Sequence, residues 1–415
     1  MTAVSVRTAR IADAAIFFAN GLGLGLWAGH VPVLQETHGL DKAQLGLALL
    51  AMALGAVIAM PLTGPATSRH GSRRCTVVAG LIYGLGLGLP FVAVGPVALT
   101  AAMLLLGAAN GAMDVAMNTQ ASTIERRYGQ AIMSSFHAFF SLGGVAGASL
   151  AGLLIAAGTP AAMGMGLMGA AIAAAVLVAG RRLLPSGDSG GAGFSLPGRA
   201  ALGVGILALL AMMAEGAVLD WSAVYIATGT GAAPAVAAMG YAAFSTAMTL
   251  GRLTGDRVVR RLGPGRTLAF SALLAALAIL LALAGGAAMA VLGFGLAGLG
   301  LANAVPVLFS AGSRLPGVAP GVGVAMVATM GYAGFLLGPP LIGVTAEAAG
   351  LGWALLLIVP GLAVVALAGS RLVGSDRRWR KPGLTAGQRP RRRAAVRAAT
   401  AGRASPAPGP GASRR

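Results

Sequence analysis

Charge is scarce in this chain: only 10% of its 415 residues are Asp, Glu, Lys or Arg, whereas 57% are hydrophobic. Soluble domains carry about 25% charged residues, so a water-facing enzyme or binding module is excluded as the general plan. Cysteine is almost missing too. Cys75 stands alone, without a partner for a disulfide or a CxxC pair, and the four histidines form neither an HxxxH nor an HxxE pattern, so no metal site is expected. No GxxxxGK[ST] sequence occurs, which leaves ATP drive without a phosphate loop, and no Ser has a base and an acid at a recognisable triad spacing. Neither an enzymatic activity nor a cofactor is expected. Aromatics make up 5% and do not interleave with the basic residues, so the net charge of +19 does not indicate a nucleic-acid partner.

What the chain has instead is long apolar runs. Twelve of about 20 residues, the length that crosses the hydrocarbon core as helix, lie near 11–34, 43–65, 75–95, 97–119, 131–156, 160–180, 201–227, 233–254, 267–285, 286–310, 322–346 and 351–370. They are continuous rather than alternating, which favours helices over a membrane β-barrel. Gly, at 65 residues, together with abundant Ala, fits helices whose backbones approach closely in lipid. The first run is too long for a signal-peptide core and no A-x-A cleavage site follows it, so it is expected to remain as a membrane helix.

Charge placement assigns sides. With the N-terminus inside and twelve crossings, the outside loops hold one basic residue, Lys42, and the other 29 of 30 fall before helix 1, in even-numbered loops such as "SRHGSRR", "ERRYG" and "DRVVRRLGPGR", in the middle linker or in the tail. Both termini are therefore expected to be cytoplasmic. The Ala, Gly and Arg bias fits a GC-rich bacterial genome and hence a bacterial plasma membrane. The expected organisation is an N-terminal six-helix bundle (1–180), a linker (181–200), a C-terminal six-helix bundle (201–370) and a tail (371–415). The tail holds 13 basic residues against one acid and reads as a disordered anchor, with binding to anionic headgroups as the sharper alternative.

The halves also repeat. "GAAN" ending at Asn110 returns as "GLAN" ending at Asn303, Trp27 and Trp221 lie 194 residues apart, and "HAFFSLGG" from His137 precedes "YAGFLLGP" from Tyr332 by 195. Repeats of this kind place a transported ligand between the halves. On these residues the chain resembles the major facilitator superfamily. The family's loop pattern after the second helix of each half is matched by Gly64, Arg69, Gly71, Arg73 and Arg74, with Ser68 where the acid should stand, and by Gly251, Leu253, Asp256, Arg257, Gly263 and Arg266. The wording "EGAVLDWSAVY" and "HAFFSLGG" is similar to a bacterial permease branch related to the fucose/proton symporter group. The resemblance implies an all-α integral membrane fold of twelve helices in two pseudo-symmetric bundles, a monomer, and a central cavity lined by helices 1, 4, 7 and 10.

Polar residues inside the membrane are then the informative ones, because an ionised group at mid-bilayer costs roughly 2.5–3.5 kcal/mol and needs an interior partner or a neutral state. Asn110, Asp114 and Asn118 stand four apart on helix 4 and form one stripe, drifting about 40° per step. Glu215 and Asp220 interrupt helix 7, Asn20 lies in helix 1 and Asn303 in helix 10. Candidate cavity residues are Asn20, Trp27, Asn110, Asn118, Asp220, Trp221, Asn303 and Tyr332, against the blander readings of hydrogen bonding between helices for the Asn residues and an interfacial belt for Trp27, Trp221 and Trp353. Asp13 is expected to reach headgroup water. No Lys or Arg falls in a membrane interior, Arg252 near the inner end of helix 8 being the nearest, so Asp114 and Glu215 are expected to lack a cationic partner. A lone carboxylate that alternates between exposure and burial can carry a proton, which makes Asp114, Glu215 and, as a proton-responsive partner, His137 the coupling candidates. Sodium at the same oxygens, or a cationic substrate, are the alternatives. The expected function is secondary active transport of a small neutral or cationic solute, with proton coupling and with sugar-like uptake favoured over drug efflux. The rival is a receptor or assembly factor that keeps the fold without flux.

Overall fold

The structure is a computed structural model that describes residues 4–185 and 199–373. Much of the linker, 186–198, and the basic tail from 374 lie outside the described residues, so the expectations for those segments are not addressed by it. Among the described residues there are twelve long helices: α1 (Val6–His38), α2 (Lys42–His70), α3 (Ser72–Val92), α4 (Gly95–Tyr128), α5 (Met133–Ala156), α6 (Ala161–Gly180), α7 (Arg199–Gly229), α8 (Pro234–Leu262), α9 (Pro264–Leu283), α10 (Ala287–Gly312), α11 (Pro320–Ala349) and α12 (Leu351–Leu372). Eleven are apolar enough to span a membrane by composition alone. The other is α8, whose last three turns hold Arg252, Asp256, Arg257, Arg260 and Arg261.

Several helices run past their predicted ends. The "ERRYG" and "DRVVRR" segments, expected as loops, are the last turns of α4 and α8. Hydropathy fails there because these turns leave the apolar layer but keep helical backbone bonds until a glycine ends them: Gly129, at φ 74°, caps α4. Three helices break where a proline cannot continue the ladder and its ring meets the carbonyl four residues back. Pro90 breaks α3 near Leu87, Pro306 breaks α10 at Ala302–Asn303, and Pro360 breaks α12 at Leu357.

The repeat is visible in the packing. Within α1–α6, α1 packs on α5, α2 on α4, and α3 on both α4 and α6; within α7–α12 the equivalent pairs recur, α7 with α11, α8 with α10, and α9 with both α10 and α12. The α2–α3 and α8–α9 corners match as well: Gly71 (φ 86°) and Gly263 (φ 82°) both hold a backbone that L-side chains rarely adopt. Glycine also sets the depth of packing in α1 and α5. A Cβ on Gly21 or Gly25 would collide with the carbonyl of Phe140 or Gly144, and one on Gly143 or Gly147 with that of Phe18 or Leu22. The "GLGLGLW" run is thus one side of a small-residue seam. The halves meet mainly through α2 on α11 and α5 on α8.

Candidate functional site

Between the halves lies a cavity of about 610 Å³, walled chiefly by apolar and aromatic side chains that include Phe17, Trp27, Phe140, Phe244, Phe309 and Phe335. Its lining reaches Leu49 and Tyr241, two turns into α2 and α8, and both are exposed, so the mouth lies at the end away from the arginines. At the other limit are Met117, Phe309 and Arg252. Most of the polar lining is on that side of Tyr241 and Ser245: Asn110, Asp114, His137, Ser141, Glu215, Thr249, Arg252 and Tyr332.

Two polar chains form this floor. In the first, the Asn118 amide donates to the Oδ1 of Asp114 at 3.1 Å, and its own Oδ1 is 3.2 Å from His137 Nε2. The other carboxylate oxygen of Asp114 has no hydrogen-bond partner. His137 lies edge-on to Phe17 and against Phe309, which fixes its ring between α1 and α10. Deeper in α1, the Asn20 amide donates to Asn110 Oδ1 at 2.9 Å, and Tyr83 donates to the Asn20 carbonyl at 3.3 Å. Tyr332, from the other half, lines the same cavity beside Asn110, Asp114 and Glu215.

The second chain corrects the expectation that Glu215 has no cation. Arg252 Nη2 meets Glu215 Oε1 at 3.2 Å, and both residues are buried. Arg252 is about 15 Å from the end of α8, by helical rise. It therefore reaches the membrane interior rather than the surface, and its Nη1 donates to Ser141 Oγ at 2.8 Å. Glu215 is neutralised within its own half, and Asp114 alone keeps the character expected of both.

The remaining candidates divide. Trp27 lines the cavity wall, 4% exposed and edge-on to Phe91, whereas Trp353 is 69% exposed. Asn20 and Asn118 stand behind the lining. Asp220 is exposed and Trp221 faces Gly343 of α11; neither lines the cavity. Asn303 lies below the floor at the break in α10, accepting from Ser134 at 2.9 Å and donating to the Gly251 carbonyl. Asp13 does not reach headgroup water: it is fully buried and neither carboxylate oxygen has a partner. Of the loop pattern, Gly64 packs on Gly321 and Ala325 of α11, Arg69 is exposed, Arg73 donates to the Arg181 carbonyl, and Asp256 accepts from the Ser135 N–H at 3.2 Å.

One polar residue escaped the sequence reading altogether. Glu125, within "ERRYG", is 1% exposed and accepts from the Ile132 and Met133 N–H groups at the start of α5, and from Ser310 and Arg314 (2.9 Å) of the other half. Its position among arginines made it look like a solvated loop acid.

Comparison with known proteins agrees with this architecture. Residues 14–203 match the Major Facilitator Superfamily profile. An uncharacterised MFS-type transporter of Yersinia pestis is 40% identical over 81% of this chain and 88% of its own length. The membrane protein MosC of Rhizobium meliloti is 38% identical over 85% and 87%. Among solved structures, FucP in the outward conformation, a major facilitator transporter, superposes with a TM-score of 0.75 at 19% identity, covering 88% of this chain and 98% of that one. The proton:xylose symporter XylE gives 0.72 at 14%, covering 89% and 96%.

Proposed function

Because this chain belongs to the major facilitator superfamily, we propose that it carries a small neutral or cationic solute across a bacterial plasma membrane by alternating access, coupled to protons through Asp114. The observation that carries the coupling is the contrast between the two cavity acids. Glu215 is paired with Arg252, whereas Asp114 holds one neutral amide and leaves its second oxygen without a partner. Two carboxylates face one guanidinium in the cavity, an excess of one negative site, which suits a neutral solute with a proton or a cation better than an anion.

A sugar-like solute is favoured. The cavity offers hydroxyl and amide groups on Asn110, Ser141, Thr249 and Tyr332 beside aromatic faces, the pairing a polyol with one apolar face uses. The solved relatives whose names specify a substrate and its driving ion include fucose:proton and proton:xylose symporters. Positive charge at one end of the bundle supports a cytoplasmic location for that end and for both termini.

The test uses purified protein in sealed vesicles. A thermal-shift screen of sugars, amino sugars and small amines first selects a solute that raises the melting temperature. That solute should accumulate under an imposed pH gradient and leave when a protonophore is added. Accumulation driven by sodium alone would transfer coupling to that ion, and binding with no flux under either gradient would leave a receptor.

A further inference from the structure

The hydrogen bonds that join the halves lie at or below the cavity floor; α5 with the turn before it supplies Ser141, Ser135, Ser134 and Ala131 as the first half's partners, and Glu125 of α4 supplies the rest. Along α8, Arg252, Asp256 and Arg260 stand four residues apart and so share one face. That face runs antiparallel to the start of α5: Arg252 donates to Ser141, Asp256 accepts from the Ser135 N–H, and Arg260 donates to the Ala131 carbonyl at 3.1 Å. A Cβ on Gly255, between the first two rungs, would collide with Asn303 and Ser134, so the helices cannot be closer. Only the uppermost rung touches the cavity. Arg252 holds Ser141 with Nη1 and Glu215 with Nη2, while its Nε has no partner.

We propose that Arg252 is the positioning residue that ties the charge of Glu215 to the seal between α5 and α8. Glu215 anchors the guanidinium in the second half, and the fork, so oriented, reaches across to Ser141 in the first. A buried guanidinium without its counter-charge does not keep this geometry, because it needs another acceptor. Neutralising Glu215 therefore releases the Ser141 rung and loosens the ladder from its cavity end. The ion pair itself travels with the second half, so separating the halves at this level breaks a hydrogen bond and separates no charges. The other charged and titratable groups around Glu215 and Arg252 are Asp114 on α4, His137 on α5 and Tyr332 on α11.

The inference rests on the transport reading only in that the halves part at the arginine-rich end, and its test needs neither solute nor gradient. Thr67 on α2 is 4% exposed and packs where Gly321 of α11 closes against it, so it is covered while that end is sealed. In a Cys75→Ser background, Thr67→Cys gives a thiol whose rate of maleimide labelling in purified full-length protein reports opening. Ser141→Ala and Glu215→Gln should each speed labelling roughly tenfold, the weight of one hydrogen bond to a charged group. Combined, they should give little more than either alone, because both remove the same rung. Labelling at the parent rate in either variant, or multiplicative effects in the double variant, overturns the assignment. If Glu215→Gln yields no folded protein, Arg252→Lys takes its place. It keeps the charge but loses the fork that spans both partners, and it must accelerate labelling as Ser141→Ala does.

Discussion

At the scale of single residues, the two mid-membrane acids differ because of what the helix beside each brings to it. Asp114 stands near the middle of α4 and Glu215 near the middle of α7, in nearly the same setting by hydropathy. Only the neighbouring helix tells them apart, since α8 brings Arg252 to Glu215 and, among the described residues, nothing cationic comes to Asp114. The sequence shows both acids and their helices. It hides the pairing, because Arg252 sits at what reads as a helix end and its long side chain points inward along the membrane. Glu125 was hidden for a related reason: a buried acid followed by two arginines has the pattern of a surface loop. Its burial makes a sharp prediction. Glu125→Ala leaves two N–H groups of α5, Ser310 and Arg314 without their shared acceptor, and should cost about 3–5 kcal/mol, the scale of a broken buried ion pair. Thermal unfolding in detergent should show a large drop for this variant and a smaller one for Glu125→Gln, which keeps an acceptor. Equal melting temperatures for Glu125→Ala and the parent would remove Glu125 from the seal.

At the scale of elements, the helices were legible because lipid demands long apolar runs with internal backbone bonds, and all twelve lie where those runs fall. Their ends were less so, and the direction of error is informative: α4 and α8 extend into basic segments that hydropathy discards. The breaks have a local cause in Pro90, Pro306 and Pro360, and the α10 break frees Asn303 to link Ser134 with Gly251. Close packing of α1 on α5 depends on hydrogen in place of Cβ at Gly21, Gly25, Gly143 and Gly147. Gly25→Leu should therefore force the two helices apart at a cost of about 1–3 kcal/mol or more. A monodisperse peak in size-exclusion chromatography with the parent's melting temperature would show that the seam tolerates the bulk.

At the scale of the whole molecule, the repeat seen as recurring residues near an offset of 194 becomes two bundles with equivalent helix pairs and a cavity between them. The cavity closes toward the arginine-rich end, where Glu125, Asp256 and Arg260 join the halves. On the proposal that this end is cytoplasmic, which rests on the positive-inside rule, reporters fused after residue 375 should read inside and reporters placed between 36 and 42 outside; an external C-terminal reporter would invert the assignment. Transport driven through Asp114 is the central claim, and its most direct test compares Asp114→Asn with the parent in sealed vesicles, using the solute selected by thermal shift. The substitution keeps shape and hydrogen bonding but cannot titrate. Binding and solute exchange without a gradient should persist, while accumulation driven by an imposed pH gradient should be lost. Accumulation equal to the parent's, with the same dependence on pH, would contradict the account.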